Sequence, residues 1–147
     1  MNEEAAYKKL IVWQKAMDLV DLVYKMMRCF PKEERFRLCD QLSRAVVSVP
    51  SNIAEGNGRG TKQDYAHFLS IARGSLYETM TQLEIARRQC YVDDITQAES
   101  LADEIRRMLG SLVSKLTKRD EVKGSGGERR DEVKGSGGER RDEKKTI

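Results

Sequence analysis

The chain of 147 residues contains one histidine, two prolines, three cysteines, one tryptophan and nine aromatic side chains in all. A single imidazole has no second ring with which to build a relay or a histidine-rich metal site, so neither catalysis nor a cofactor is expected. Cys29, Cys39 and Cys90 are an odd set with no CxxC pair, which argues against a disulfide framework or a zinc cluster. They read as reduced thiols packed like small hydrophobes. No stretch approaches the ~18 uninterrupted apolar residues of a membrane span, and Glu3 and Glu4 stand where a signal peptide would be basic. A cytoplasmic protein with no membrane partner is therefore expected. One-sided charge is missing too: 27 basic against 24 acidic residues leave +3, so any nucleic-acid contact must come from a local patch.

What the chain does have is unevenly distributed. All nine aromatic residues lie within 1–117, and the last thirty residues hold only three apolar ones, Val122, Val133 and Ile147. Those thirty carry ten Lys/Arg, eight Asp/Glu and six of the eleven glycines, too polar a mix to offset the entropy of ordering. They are largely a tandem repeat: residues 119–129 read RDEVKGSGGER, 130–140 repeat them, and 141–143 begin a third copy. The expected division is a folded domain over 1–117 and a disordered low-complexity tail over 118–147. The tail reads as a flexible duplication or as a weak RNA-contacting arm, with interleaved acids opposing tight binding. Without it the charge is 17 basic against 16 acidic, or +1.

Within 1–117 the apolar spacing is helical. A first segment from Leu10 to Cys29 carries Trp13, Met17, Val20, Tyr24 and Met27 three and four apart, and Phe30-Pro31 stops it. A second, from Lys32 to Glu55, carries Cys39, Leu42, Val46, Val49 and Ile53. Pro50 should kink this helix rather than break it, with Ser48 or Ser51 compensating the freed backbone. The run 56–60, GNGRG, then predicts a loop, and Thr61 with Asp64 a capping box that opens a third helix reaching Cys90. Its stripe is Tyr65, Phe68, Ala72, Leu76, Thr79, Leu83, Ala86 and Cys90. A second box, Thr96 with Glu99, opens a fourth helix through Ala98, Leu101, Ile105, Met108, Leu112 and Leu116. Short connections between long helices predict an all-α, antiparallel up-down-up-down four-helix bundle.

Residues that could carry chemistry are few. His67 beside Phe68 reads as a surface or edge residue rather than a base. The stretch 56–62, GNGRGTK, fails as a phosphate loop because Thr precedes Lys and a helix, not a strand, leads into it. It still places Arg59 and Lys62 at a helix N-terminus, where unsatisfied N–H groups favour an anion, although the glycines suffice to turn the chain. A polar stripe on the second helix, Arg44, Ser48, Ser51, Asn52 and Glu55, runs beside the apolar seam, and the third helix offers Ser75, Glu78 and Gln82. Because a charge near a core must be paired, the two stripes are expected to meet inside the bundle or at a subunit contact.

The segments LIVWQKAMDLVDLVYK (10–25), QLSRAVVSVPSNIAEGNGR (41–59) and FLSIARGSLYE (68–78), with the Phe30-Pro31 stop, closely resemble the four-helix bundle proteins encoded by intervening sequences of bacterial 23S rRNA genes. These are also called S23 ribosomal proteins. The SVPSNIAEG run followed by Arg59 is the most specific part, and the likeness covers about residues 8–117. That family is similar in fold to the accessory variability protein of diversity-generating retroelements, a ring of five bundles that binds nucleic acid and a reverse transcriptase. The resemblance thus implies a non-catalytic homopentamer with a nucleic-acid-linked role. On this basis Arg59, Lys62, Arg73, Arg87 and Arg88 are expected to contact the backbone of RNA or DNA. The alternative is a scaffold for a reverse transcriptase.

Overall fold

The computed structural model describes residues 3–121, so the repeat tail falls outside it apart from its first few positions. A short 3-10 turn, Ala6–Lys9, leads into helix α1 (Ile11–Met27). A second turn, Lys32–Glu34, precedes α2 (Leu38–Asn57), followed by α3 (Lys62–Arg88) and α4 (Thr96–Glu121). There is no strand among the described residues, and each helix packs on two neighbours: α1 on α2 and α4, α3 on α2 and α4. This is the expected up-down four-helix bundle.

The stripes on α2 and α3 are the predicted ones in their central parts. Leu42, Val46, Val49 and Ile53 of α2 and Ala72, Leu76, Thr79, Leu83 and Ala86 of α3 are all buried. Each large apolar side chain buried in this seam contributes roughly 1.5–3 kcal/mol. On α1 the prediction is displaced by one residue. The core takes Val12, Ala16, Leu19 and Val23, whereas Met17 and Tyr24 of the expected stripe stay exposed. Both lines have helical spacing; the one inside is the one whose small and branched side chains let α1 approach its neighbours. Similarly, α4 buries Ala102 and Leu109, beside Ala98 and Ile105, while Leu101, Met108 and Leu112 pack at the margin.

The ends of the helices differ from expectation for local reasons. The second segment is not one helix from Lys32, because the Glu34 carboxylate accepts the Leu38 N–H at 3.2 Å and starts α2 there. That helix then runs unbroken through the buried Pro50, with Ser51 Oγ donating to the Val47 carbonyl at 2.7 Å and Asn52 Nδ2 to that of Ser48 at 2.8 Å. It also extends beyond the expected loop start, since Gly56 is helical and buried. A Cβ on Gly56 would lie 2.8 Å from the Phe68 Cβ and 2.9 Å from the Tyr65 ring, so its bareness sets how closely α2 and α3 approach. Thr61 caps α3, accepting from the Asp64 N–H at 3.1 Å. The second predicted box is displaced: Asp94 accepts from both the Thr96 N–H and its hydroxyl, and Thr96 is already helical.

Helix α3 stops at Arg88 rather than Cys90. The Tyr91 N–H reaches back to the Ala86 carbonyl at 2.9 Å and the Cys90 N–H to that of Arg87 at 3.0 Å, a Schellman closure with Cys90 at φ 63°. Glycine is the usual occupant of such a position, because a Cβ crowds the following carbonyl. Cys90→Gly should therefore raise stability by about 0.5–1 kcal/mol, whereas Gly56→Ala should lower it by about 1–3 kcal/mol. Chemical denaturation measures both, and equal signs for the two would contradict these assignments.

Candidate nucleic-acid interface

The two polar stripes do meet, but through their short members. Ser48 Oγ and Ser75 Oγ lie 2.8 Å apart across α2 and α3, and Asn52 Nδ2 donates to Ser48 Oγ at 2.8 Å. Thr79 closes the seam by donating to the Ser75 carbonyl at 2.8 Å. The charged members do not join them. Arg44 is 78% exposed and pairs with Asp40 at 3.2 Å, Glu55 turns to Arg59, and Glu78 is exposed with only a 3.4 Å contact from Gln82 Nε2. The expected inward meeting of Arg44 and Glu78 is thus corrected: each keeps its water, which removes the cost of desolvating a pair. Gln82 itself is only 6% exposed and its Oε1 has no hydrogen-bond partner among the described residues.

The five expected phosphate contacts are likewise divided. Lys62 at the start of α3 and Arg88 at its end are about 39 Å apart at ~1.5 Å per residue, so they do not form one patch. Arg59 is engaged twice, by Glu55 at 2.9 Å and by the Phe68 ring, whose centroid is 4.9 Å from the guanidinium. Arg87 and Arg88 share the Glu84 carboxylate. Lys62 and Arg73 are exposed and make no ion pair among the described residues.

A stronger cluster lies where sequence reasoning placed none. The connection between α1 and α2 exposes Arg28, Lys32, Arg35 and Arg37, and none of them makes an ion pair among the described residues. One nearby acid, Glu34, is already committed, through Oε2 to the Leu38 N–H and through Oε1 to the Tyr91 hydroxyl at 3.1 Å. Burial, then Glu34, pushes the Tyr91 phenol up. Phe36 stands between the last two arginines at 85% exposure, with the Arg35 guanidinium 5.6 Å from its ring centroid. Beside Arg37 opens a shallow groove of about 320 Å³ lined by Glu34, Leu38, Gln41, Ile85, Gln89 and Tyr91. The signal is the RFR triplet at 35–37, masked by the expectation of a helix beginning at Lys32.

Other candidates are placed without being joined to this cluster. Two of the three cysteines are not packed: Cys29 and Cys90 are exposed in one groove, and only Cys39 is half-buried, its thiol pushed up by burial. His67 is exposed and meets the Phe68 ring edge-on at 5.7 Å. Among the described residues no group of three or more His, Cys, Asp or Glu is placed to hold a metal ion. No helix among them is long and apolar enough to cross a membrane.

Residues 8–111 match the family model described as 23S rRNA-intervening sequence protein. The chain belongs to that family. A solved structure from Bacteroides thetaiotaomicron, described as a protein of unknown function from the S23 ribosomal protein family, is 26% identical with a TM-score of 0.59. The likeness covers 70% of this chain and 98% of that one. A comparison with curated proteins gives no match.

The end of α3 is expected to add its own pH dependence to stability. The hydrogen bond from Arg87, 2.5 Å at its shortest, and the Arg88 guanidinium hold the Glu84 carboxyl down to about 2. Because the folded value lies below the ordinary 4.5, the stabilising effect is present above about pH 4.5 and is lost as pH falls toward 2. Thermal unfolding of Glu84→Gln should lack this part of the acid-side decline; an unchanged acid limb would contradict the assignment.

Proposed function

We propose that the protein binds nucleic acid through backbone phosphates, without catalysis, as an assembly of bundles. The observation that carries this reading is the set of cations on the α1–α2 connection that make no ion pair among the described residues, Arg28, Lys32, Arg35 and Arg37, against two acids there, Glu33 and Glu34. A phosphate gains most from a cation that has no carboxylate to give up, whereas Arg59, Arg87 and Arg88 must first leave Glu55 or Glu84. Lys62, at the far end of α3, and Arg73, midway along it, lie apart from this set and are not needed for it. Phosphate contacts hold the polymer without reading its sequence. Assembly is supported by the α2–α3 side of the bundle, where Val47, Ile71 and Ile85 remain exposed.

The family description refers to 23S rRNA, which makes a structured RNA hairpin the first probe. An electrophoretic titration at about 50 and 200 mM salt should show affinity falling steeply with salt. Replacing Arg28, Lys32, Arg35 and Arg37 together by Ala should reduce the log–log slope by roughly 0.7–0.9 for each phosphate deprived of its cation. Absence of binding even at the lower salt would reject the reading.

A further inference from the structure

We propose that Phe36 is a stacking platform for an unpaired nucleobase, so that the α1–α2 connection takes single-stranded nucleic acid in preference to a duplex. This rests on the nucleic-acid reading above and specifies its ligand. Phe36 is by far the most solvated large apolar side chain described, at 85% against 59% for the next, Ile11. It is not the margin of a larger apolar face, because the residues on either side of it are Arg35 and Arg37. A partner protein covering the ring with an apolar surface would take two guanidiniums without ion pairs out of water, at high cost. A nucleotide meets both needs, offering a π face to the ring and phosphate oxygens to the arginines.

The surroundings fit the same ligand. Arg35 lies 5.6 Å from the ring centroid, close enough to add a cation–π contact to a stack. Arg37 borders the groove of about 320 Å³ in which the Gln41 and Gln89 side chains and the Tyr91 hydroxyl are found. Amide side chains carry both donors and acceptors, the mixture that the edge of a splayed base presents. Arg28 and Lys32, earlier on the same connection, extend the cationic surface for the strand backbone. In a duplex the bases are stacked on each other and offer no free face to the ring.

The test uses the full chain and three probes of equal length, about twelve nucleotides: single-stranded oligoadenylate, its abasic counterpart with the same phosphates, and the corresponding duplex. The wild type should bind oligoadenylate about ten- to a hundred-fold more tightly than the abasic strand. Phe36→Ala should remove most of that ratio, Phe36→Trp should retain it, and the new indole should be quenched on binding. Unfolding midpoints check that the exposed site tolerates both changes. If wild type and Phe36→Ala bind all three probes alike, the platform is refuted while phosphate binding stands. If no probe binds at low salt, the nucleic-acid reading fails and the platform with it. A changed oligomeric mass in Phe36→Ala with an unchanged base preference would assign the ring to a protein contact and overturn the proposal.

Discussion

The close approach of α2 and α3 governs the rest of the molecule. At one end it requires that Gly56 have no side chain, because the Tyr65 ring and the Phe68 Cβ occupy the space a methyl group would take. Midway it is spanned by two of the shortest polar side chains, Ser48 and Ser75, in direct contact. Larger residues at these points would push the helices apart and loosen the seam of Val49, Ile53, Leu76 and Leu83. Once α3 is fixed against α2, its length carries Arg87 and Arg88 to the same end of the bundle as the α1–α2 connection, where Tyr91 meets Glu34 and Phe30.

Charge acts here through its pairing rather than its total. The folded part carries nearly as many acids as bases, and several arginines are neutralised within their own helix by a carboxylate three or four residues away. Such exposed pairs add little to stability, typically less than ~1 kcal/mol. Their effect is to leave the electrostatic character of the surface to the cations outside them. Four of these, Arg28, Lys32, Arg35 and Arg37, follow one another closely on the α1–α2 connection.

The residues legible in the sequence are those whose role is set by spacing. The α2 seam from Leu42 to Ile53 can be read because no other line on that helix carries as many large apolar residues at that spacing. Helix α1 offers two lines with the same period, Trp13-Met17-Val20-Tyr24 and Val12-Ala16-Leu19-Val23, and period alone does not choose between them. Packing does, by admitting Ala16 and Leu19 where Met17 and Tyr24 are too bulky or too polar. The serine seam is legible as a pair of stripes, whereas the outward turn of Arg44 depends on Asp40 lying one turn before it. Phe36 is obscured in the sequence because the residues around it also fit a helix. The determinant there is Glu34, whose cap on Leu38 is paired with a hydrogen bond to a residue 57 positions away. No local pattern announces that second partner.

Glu34 has one further consequence, for motion. Its two oxygens hold separate connections, Oε2 the start of α2 and Oε1 the turn between α3 and α4. Neither connection can peel away from the bundle without surrendering a bond to the same carboxylate. Local opening of the α3–α4 turn must therefore break the Tyr91 bond to Glu34, a cost that a turn standing alone would not bear.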